Sequence, residues 1–227
     1  QVPSTKEFFD ESGCSYLRRR CRETHFDAVL IGPGLGRHPE TISSIWNLLL
    51  GLIGEDIPLV LDADALYILS RKSPNRWPQS NGKAMYGITT PHSGELQRWL
   101  GATSPGGVWG PPQCRVSPDC GGGNAEKILE GRVILCSGST DTLYGPGGHF
   151  ATASGGYPRM ACAGTGDLLA GLCASFLAQG MNPWPAARLA AYILRQAGTI
   201  AGRKMGIGFV ADDLPPFIAQ ALAQAMV

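Results

Sequence analysis

The sequence lacks several of the features that place a chain in a function class at a glance. It has seven cysteines, an odd number, and no Cys-x-x-Cys pair. That argues against a zinc site and against a complete disulfide framework. A reducing compartment, cytoplasmic or mitochondrial, is the simplest expectation. Charge of either sign is not in excess: 19 Lys and Arg stand against 18 Asp and Glu, for a formal net charge of +1. Such a balance leaves no footprint for nucleic acid or for an anionic membrane. The one small basic cluster, Arg18, Arg19, Arg20 and Arg22, is expected to be a solvated helix face. No apolar run reaches the roughly 18 residues of a membrane span, and no signal peptide is visible. Internal repeats and linkers are missing as well, so one domain over residues 1–227 is expected.

What is present is a large supply of core and of turns. Hydrophobic residues make up 44% of the chain and charged residues 16%, enough apolar surface for a sizeable core. There are 31 glycines and 17 prolines, as expected where loops carry ligands. Short apolar runs at residues 26–31, 58–61, 87–90 and 133–136 read as buried parallel strands. Helical periodicity follows the first three, at 40–51, 65–70 and from Pro91 onward. Residues 142–144 and 149–153 flank Gly145-Pro146-Gly147-Gly148 and read as a β-hairpin. Residues 102–124 are rich in Gly and Pro and read as an irregular loop, followed by a short helix at 125–129. Helices are expected from Gly166, from Asn182 to Gly206, and from Val210 onward. This order predicts an α/β fold with a central, mostly parallel sheet, helices on both faces and one small hairpin.

The chemistry-bearing residues sit where such strands end. Gly32-Pro33-Gly34-Leu35-Gly36 follows the first, Asp62-Ala63-Asp64 the second, Thr90-Pro91-His92-Ser93-Gly94-Glu95 the third and Ser137-Gly138-Ser139-Thr140-Asp141 the fourth. Ligands of open α/β sheets bind beyond the carboxyl ends of the strands. Asp62 and Asp64 could hold a metal or a polar ligand, or simply cap the next helix, which for Asp64 is the simpler role. A fifth stretch, Ala161-Cys162-Ala163-Gly164-Thr165-Gly166-Asp167, leads into an apolar helix. Glycines before a helix start let backbone N–H groups converge on a phosphate, helped by the helix dipole. Asp167 beside that cradle is either a cap or a base that takes a proton from a hydroxyl attacking a phosphoryl group.

Taken in order, Gly32–Gly36, Asp62-Ala63-Asp64-Ala65-Leu66, Thr90–Glu95 and Ala163–Gly171 resemble the NAD(P)H-hydrate dehydratases, a branch of the ribokinase-like superfamily. The resemblance implies a ribokinase-like fold and repair of hydrated NADH or NADPH with ATP or ADP and Mg²⁺. It implies a small-molecule substrate, and it leaves homo-oligomerisation open. Asp167 would be the catalytic base. Gly34, Gly36, His92 and Glu95 match family positions near the hydrate. Ser137, Gly138, Asp141, Arg159, Gly164, Thr165 and Gly166 match the nucleotide side, and no protein metal cage is implied. Two positions depart from the family pattern. Ser137-Gly138 stands where the family usually has Lys-Gly, with Arg159 the candidate for the missing positive charge. Gly156-Tyr157-Pro158-Arg159-Met160 stands where bacterial members often have Gly-Asn-Pro-Gly-Met. The family also carries upstream strands and a glycine-rich loop, and this chain is expected to start after them. Two other readings use the same cradle: a ribokinase-like kinase for a sugar or vitamin precursor, and a non-catalytic nucleotide-binding relative.

Overall fold

The computed structural model of the chain describes residues 8–100 and 131–226. The irregular loop at 102–124 and the helix at 125–129 expected above lie outside the described residues. The chain runs α1 (Glu11–Glu23), β1 (Val29–Ile31), α2 (Pro39–Gly54), β2 (Leu59–Leu61), α3 (Ala63–Lys72), β3 (Gln79–Ser80), β4 (Lys83–Ala84), β5 (Gly87–Thr89) and α4 (Ser93–Leu100). After residue 130 come β6 (Arg132–Cys136), β7 (Asp141–Tyr144), β8 (Phe150–Ala153), α5 (Thr165–Ala178), α6 (Pro183–Met205) and α7 (Pro215–Ala225).

Six strands form the main sheet in the order β1-β2-β5-β6-β7-β8. The first four are parallel, and β6, β7 and β8 then run antiparallel as a meander. The first strand is shorter than its apolar run. Its ladder begins with the Val29 N–H on the Pro58 carbonyl, and Pro58 has no N–H to extend the pairing. Residues 79–84 form a separate two-stranded hairpin. Asn81-Gly82 makes its turn, and Asn81 adopts φ 50, the conformation such two-residue turns require.

Strand alternation sorts the core into two layers. Ile31, Leu59, Leu61 and Ile134 face α2, α3 and α4 and pack with Ile45, Leu48, Leu49, Leu52, Leu66, Leu69 and Trp99. Val60, Ile88, Val133, Leu135 and Leu143 face the opposite way and pack against α5 and α6. The second layer is built from smaller residues: Ala170 and Cys173 on α5, Ala186, Ala187, Ala190 and Ala191 on α6. The basic cluster falls on α1, with Arg19 and Arg20 exposed, as a solvated helix face would have it.

This alternation has one consequence for the site. Carried a residue past each strand, it points Gly32, Asp62, Thr90 and Ser137 toward the layer of α5, whose first turn carries Asp167. The strand ends and the glycine-led helix therefore meet at one edge of the sheet.

Candidate functional site

Each strand-end turn is held by its own side chains. In the first, the Gly36 N–H donates to Asp64 Oδ2 at 2.9 Å and Arg37 Nε donates to Asp64 Oδ1 at 2.8 Å. The Arg37 guanidinium also lies 4.6 Å from the centre of the Tyr67 ring. Asp64 thus anchors the glycine turn rather than facing a ligand freely. Gly32 could be nothing else: at φ +145, a Cβ would sit 1.8 Å from the Asp62 carbonyl oxygen. The β1 and β2 turns are packed backbone to backbone.

Asp62 stands at the start of α3 yet makes no side-chain capping bond there. It is 6% exposed. Burial pushes its carboxyl up to about 6, and the nearby carboxylates of Glu95 and Asp167 push the same way. The backbone of Ala63 and the Thr90 hydroxyl oppose that shift by hydrogen bonding to the charged form. Asp62 therefore lies within electrostatic reach of two further carboxylates, Glu95 at the start of α4 and Asp167 at the start of α5.

His92 and Glu95 form a local pair. Glu95 Oε2 accepts the His92 backbone N–H at 3.0 Å and lies 3.5 Å from His92 Nε2. His92 Nδ1 accepts the Gly94 N–H at 3.0 Å. The Glu95 side chain is mostly buried and the His92 ring is more than half exposed. Beside them, the Ser137 N–H donates to the Pro91 carbonyl at 2.9 Å, and His92 and Ser137 are bridged as in a parallel ladder. The β5 and β6 turns are thereby joined.

The β6–β7 turn is organised by a residue that the motifs did not single out. Arg195, on α6, donates from Nε to Asp141 Oδ2 at 2.9 Å and from Nη2 to Asp141 Oδ1 at 2.5 Å. Nη2 also reaches the Gly138 carbonyl at 2.6 Å. Nη1 reaches the carbonyls of Ser139 at 2.9 Å and Gly155 at 3.1 Å. Asp141 is buried and also accepts the Gly138 N–H at 3.1 Å. A clue was present in the sequence. Arg195 continues the i, i+4 row of Ala187 and Ala191, so a charge falls on the buried stripe of α6.

The lead-in to α5 is less buried. Arg159 is exposed, and its Nε donates to the Phe209 carbonyl at 3.0 Å. Gly164 takes φ 91 at the helix start, and a Cβ there would come within 3.0 Å of the Ala211 Cβ. Without a side chain it provides no cap, so the first-turn N–H groups around Thr165, Gly166 and Asp167 have no side-chain acceptor at that position. Asp167 and Gly166 are exposed at the mouth of this turn. The candidate residues therefore lie on two flanks. Gly34, Gly36, His92 and Glu95 line the β1–β5 flank. Ser137, Gly138 and Asp141 line the β6–β7 flank, with Arg159 and Gly164–Gly166 on the connection that enters α5.

The mostly parallel sheet flanked by helices is a fold shared with solved structures, among them a ribokinase-like superfamily protein of Enterococcus faecalis, with a TM-score of 0.65 at 23% identity over 93% of this chain and 68% of that one. The ADP/ATP-dependent NAD(P)H-hydrate dehydratase of Bacillus subtilis, co-crystallised with ATP/Mg²⁺, superposes with a TM-score of 0.70 at 22% identity. The match covers 94% of this chain and 72% of that one. The family model described as NAD(P)H-hydrate dehydratase matches residues 6–219, so the chain belongs to the NAD(P)H-hydrate dehydratase family. Among curated relatives, a bifunctional NAD(P)H-hydrate repair enzyme of Moorella thermoacetica is 32% identical over 208 residues, 88% of this chain and 35% of the relative. An ADP-dependent (S)-NAD(P)H-hydrate dehydratase of Cenarchaeum symbiosum is 33% identical over 195 residues, 84% of this chain and 60% of the relative. The chain thus spans about a third of the bifunctional relative's length and three fifths of the dehydratase's.

Proposed function

We propose that the chain repairs hydrated NADH or NADPH by nucleotide-dependent dehydration. The observation that carries this reading is the placement of Asp167. It lies exposed on the first turn of α5, beside uncapped N–H groups, and within electrostatic reach of the Asp62 carboxyl on the sheet edge. Family membership and the dehydratase names of the relatives support the same reading.

In this mechanism the hydrate lies on the β1–β5 flank, near Gly34, Gly36, His92 and Glu95. Asp167 takes the proton of the ring hydroxyl as its oxygen attacks the terminal phosphorus of ATP or ADP. The P–O bond to the leaving nucleotide breaks, and the N–H groups of Gly164–Gly166 stabilise the negative charge that develops. The phosphorylated ring then loses phosphate from carbon and a proton from the adjacent carbon, which restores the ring double bond. Phosphate leaves far more readily than hydroxide, which is why the nucleotide is consumed. Ser137, Gly138 and Arg159 flank the nucleotide in this reading, and Asp141 supports the turn from below. Mg²⁺ would neutralise phosphate charge. The phosphates themselves and water would supply most of its ligands.

Five free cysteines among the described residues suit a reducing location, cytoplasmic or mitochondrial. Among those residues no helix is long and apolar enough to cross a membrane. The test is incubation with hydrated NADH and ATP or ADP, followed at the absorbance of reduced nicotinamide. Recovery of that absorbance with either nucleotide is expected. A stable phosphorylated product would make the protein a small-molecule kinase. Nucleotide binding without turnover would make it a non-catalytic relative.

A further inference from the structure

The guanidinium of Arg195 is saturated. Arginine has five N–H bonds, and all five meet acceptors here: two on the Asp141 carboxylate and three on the carbonyls of Gly138, Ser139 and Gly155. It has no donor left for a ligand. Its charge is matched by Asp141, and the pair is mostly buried, with side chains 11% and 6% exposed. A buried ion pair of this completeness seldom adds net stability over apolar packing, so its use lies in the geometry it imposes.

That geometry follows from the peptide bond. No peptide in the described chain is cis, and in a trans peptide the N–H points opposite the C=O. Arg195 pulls the Gly138 and Ser139 carbonyls inward. The N–H groups of the same two peptides, those of Ser139 and Thr140, must then point outward. Residues 138, 139 and 140 are exposed, and no protein acceptor stands on either N–H among the described residues. The third carbonyl, Gly155, belongs to the chain that leads toward Gly164. Its peptide partner, the Gly156 N–H, is fixed at 3.1 Å on Thr199 Oγ1, one helical turn beyond Arg195. One side chain of α6 therefore sets the orientation of the β6–β7 turn and of the α5 lead-in together.

We propose that Arg195 is a positioning residue for nucleotide phosphate. It aims the Ser139 and Thr140 N–H groups outward as a pair of anion donors and holds the β6–β7 turn in register with the Gly164–Gly166 cradle. Two outward-facing backbone N–H groups of successive residues can donate to phosphate oxygens with no cationic side chain in direct contact. The proposal rests on the nucleotide-dependent reading above, because it needs a phosphate-bearing ligand at this edge.

The test uses Arg195→Lys in the whole chain. An ammonium keeps the charge but cannot reach five acceptors spread in one plane. Binding of adenosine, AMP, ADP and ATP is measured by calorimetry for wild type and variant, with KM for hydrated NADH alongside. Loss of affinity should grow with phosphate number. ADP and ATP are expected to weaken about tenfold or more, the cost of about one charge-assisted hydrogen bond, with adenosine and the hydrate KM within about twofold. Equal loss for adenosine and ATP would show a general structural role and overturn the proposal. Unchanged ATP affinity would overturn it too. If Arg195→Lys does not fold, Asp141→Asn decides: it frees part of the fork and should give the same graded loss, and a flat response rejects the proposal. A wild type that binds none of the phosphorylated nucleotides rejects the functional reading and this proposal together. Normal nucleotide binding with an indifferent variant rejects only this proposal.

Discussion

The two flanks of the site are built on opposite terms. On the β6–β7 flank every polar atom of Arg195 and Asp141 is committed to a partner, and the pair is buried. On the β2–β5 flank Asp62 is buried with few partners and raised to about 6, Asp167 is exposed on a helix start, and His92 is mostly in solvent. Groups locked in a complete network can hold shape but cannot exchange protons cheaply. Groups left short of partners can. In the proposed reaction this division would serve a grip on the nucleotide on one side and a proton transfer on the other.

The contrast can be broken from its rigid side first. Arg195→Ala leaves a buried carboxylate unpaired and should cost about 3–5 kcal/mol of stability, read by urea denaturation. Asp167→Ala, at an exposed position, should change stability by no more than about 0.5 kcal/mol in the same experiment. The next effect is on turnover. Asp167→Asn is expected to lower the rate with hydrated NADH by about 100-fold or more while nucleotide binding persists. Equal loss of both would place Asp167 in the binding machinery instead.

Asp62→Asn probes the soft flank through pH. The folded carboxyl titrates near 6 and the unfolded one near 3.8, so the native state binds more protons in between. Asp62 therefore costs nothing below pH 4, and its penalty grows as pH rises through about 6. The amide removes that penalty. It should raise stability by about 2–3 kcal/mol at pH 8 and by nothing at pH 3.5, measured as Tm across pH. A gain independent of pH would mean the substitution works through packing. Smaller than the Arg195 and Asp62 effects on stability is that of Gly164→Ala, at φ 91 with its Cβ 3.0 Å from that of Ala211, at about 1–2 kcal/mol by urea denaturation.

Much of the soft flank was legible in the sequence, because it is made of local motifs. Apolar runs end in glycine or carboxylate turns, and such turns at the ends of parallel strands share an edge. The turns that carry Gly34, Gly36, His92 and Glu95, and the Gly164–Asp167 cradle, are marked on that ground, while the roles of the individual residues come from the resemblance. The rigid flank was not legible to the same degree. The resemblance places Asp141 on the nucleotide side, and its motif says nothing of what holds it. Its partner comes from α6, 54 positions away, and no local pattern links the two. Arg195 stood inside an apolar periodicity that made its neighbours easy to assign and the charge easy to pass over. Asp64 shows the same limit at shorter range: its bond to the Gly36 N–H spans 28 positions. The small β3–β4 hairpin was overlooked for another reason. Its Asn81-Gly82 turn is a strong local signal, but two-residue strands are too short to show alternation.

The antiparallel meander β6–β7–β8 bears on how the chain assembles. Ile134 meets Tyr144, and Thr142 meets Thr152, across short loops. Val29 must find Leu59, and Gly87 must find Arg132, across whole helical crossovers. Closing a short loop costs less entropy than closing a long one, so the meander is the natural early unit. Pulsed hydrogen exchange should therefore protect β6–β8 before β1 and β2. The β6–β7 flank would take shape while the carboxylate flank is still open chain, and the buried Asp62 would lose its water only in the last steps of folding.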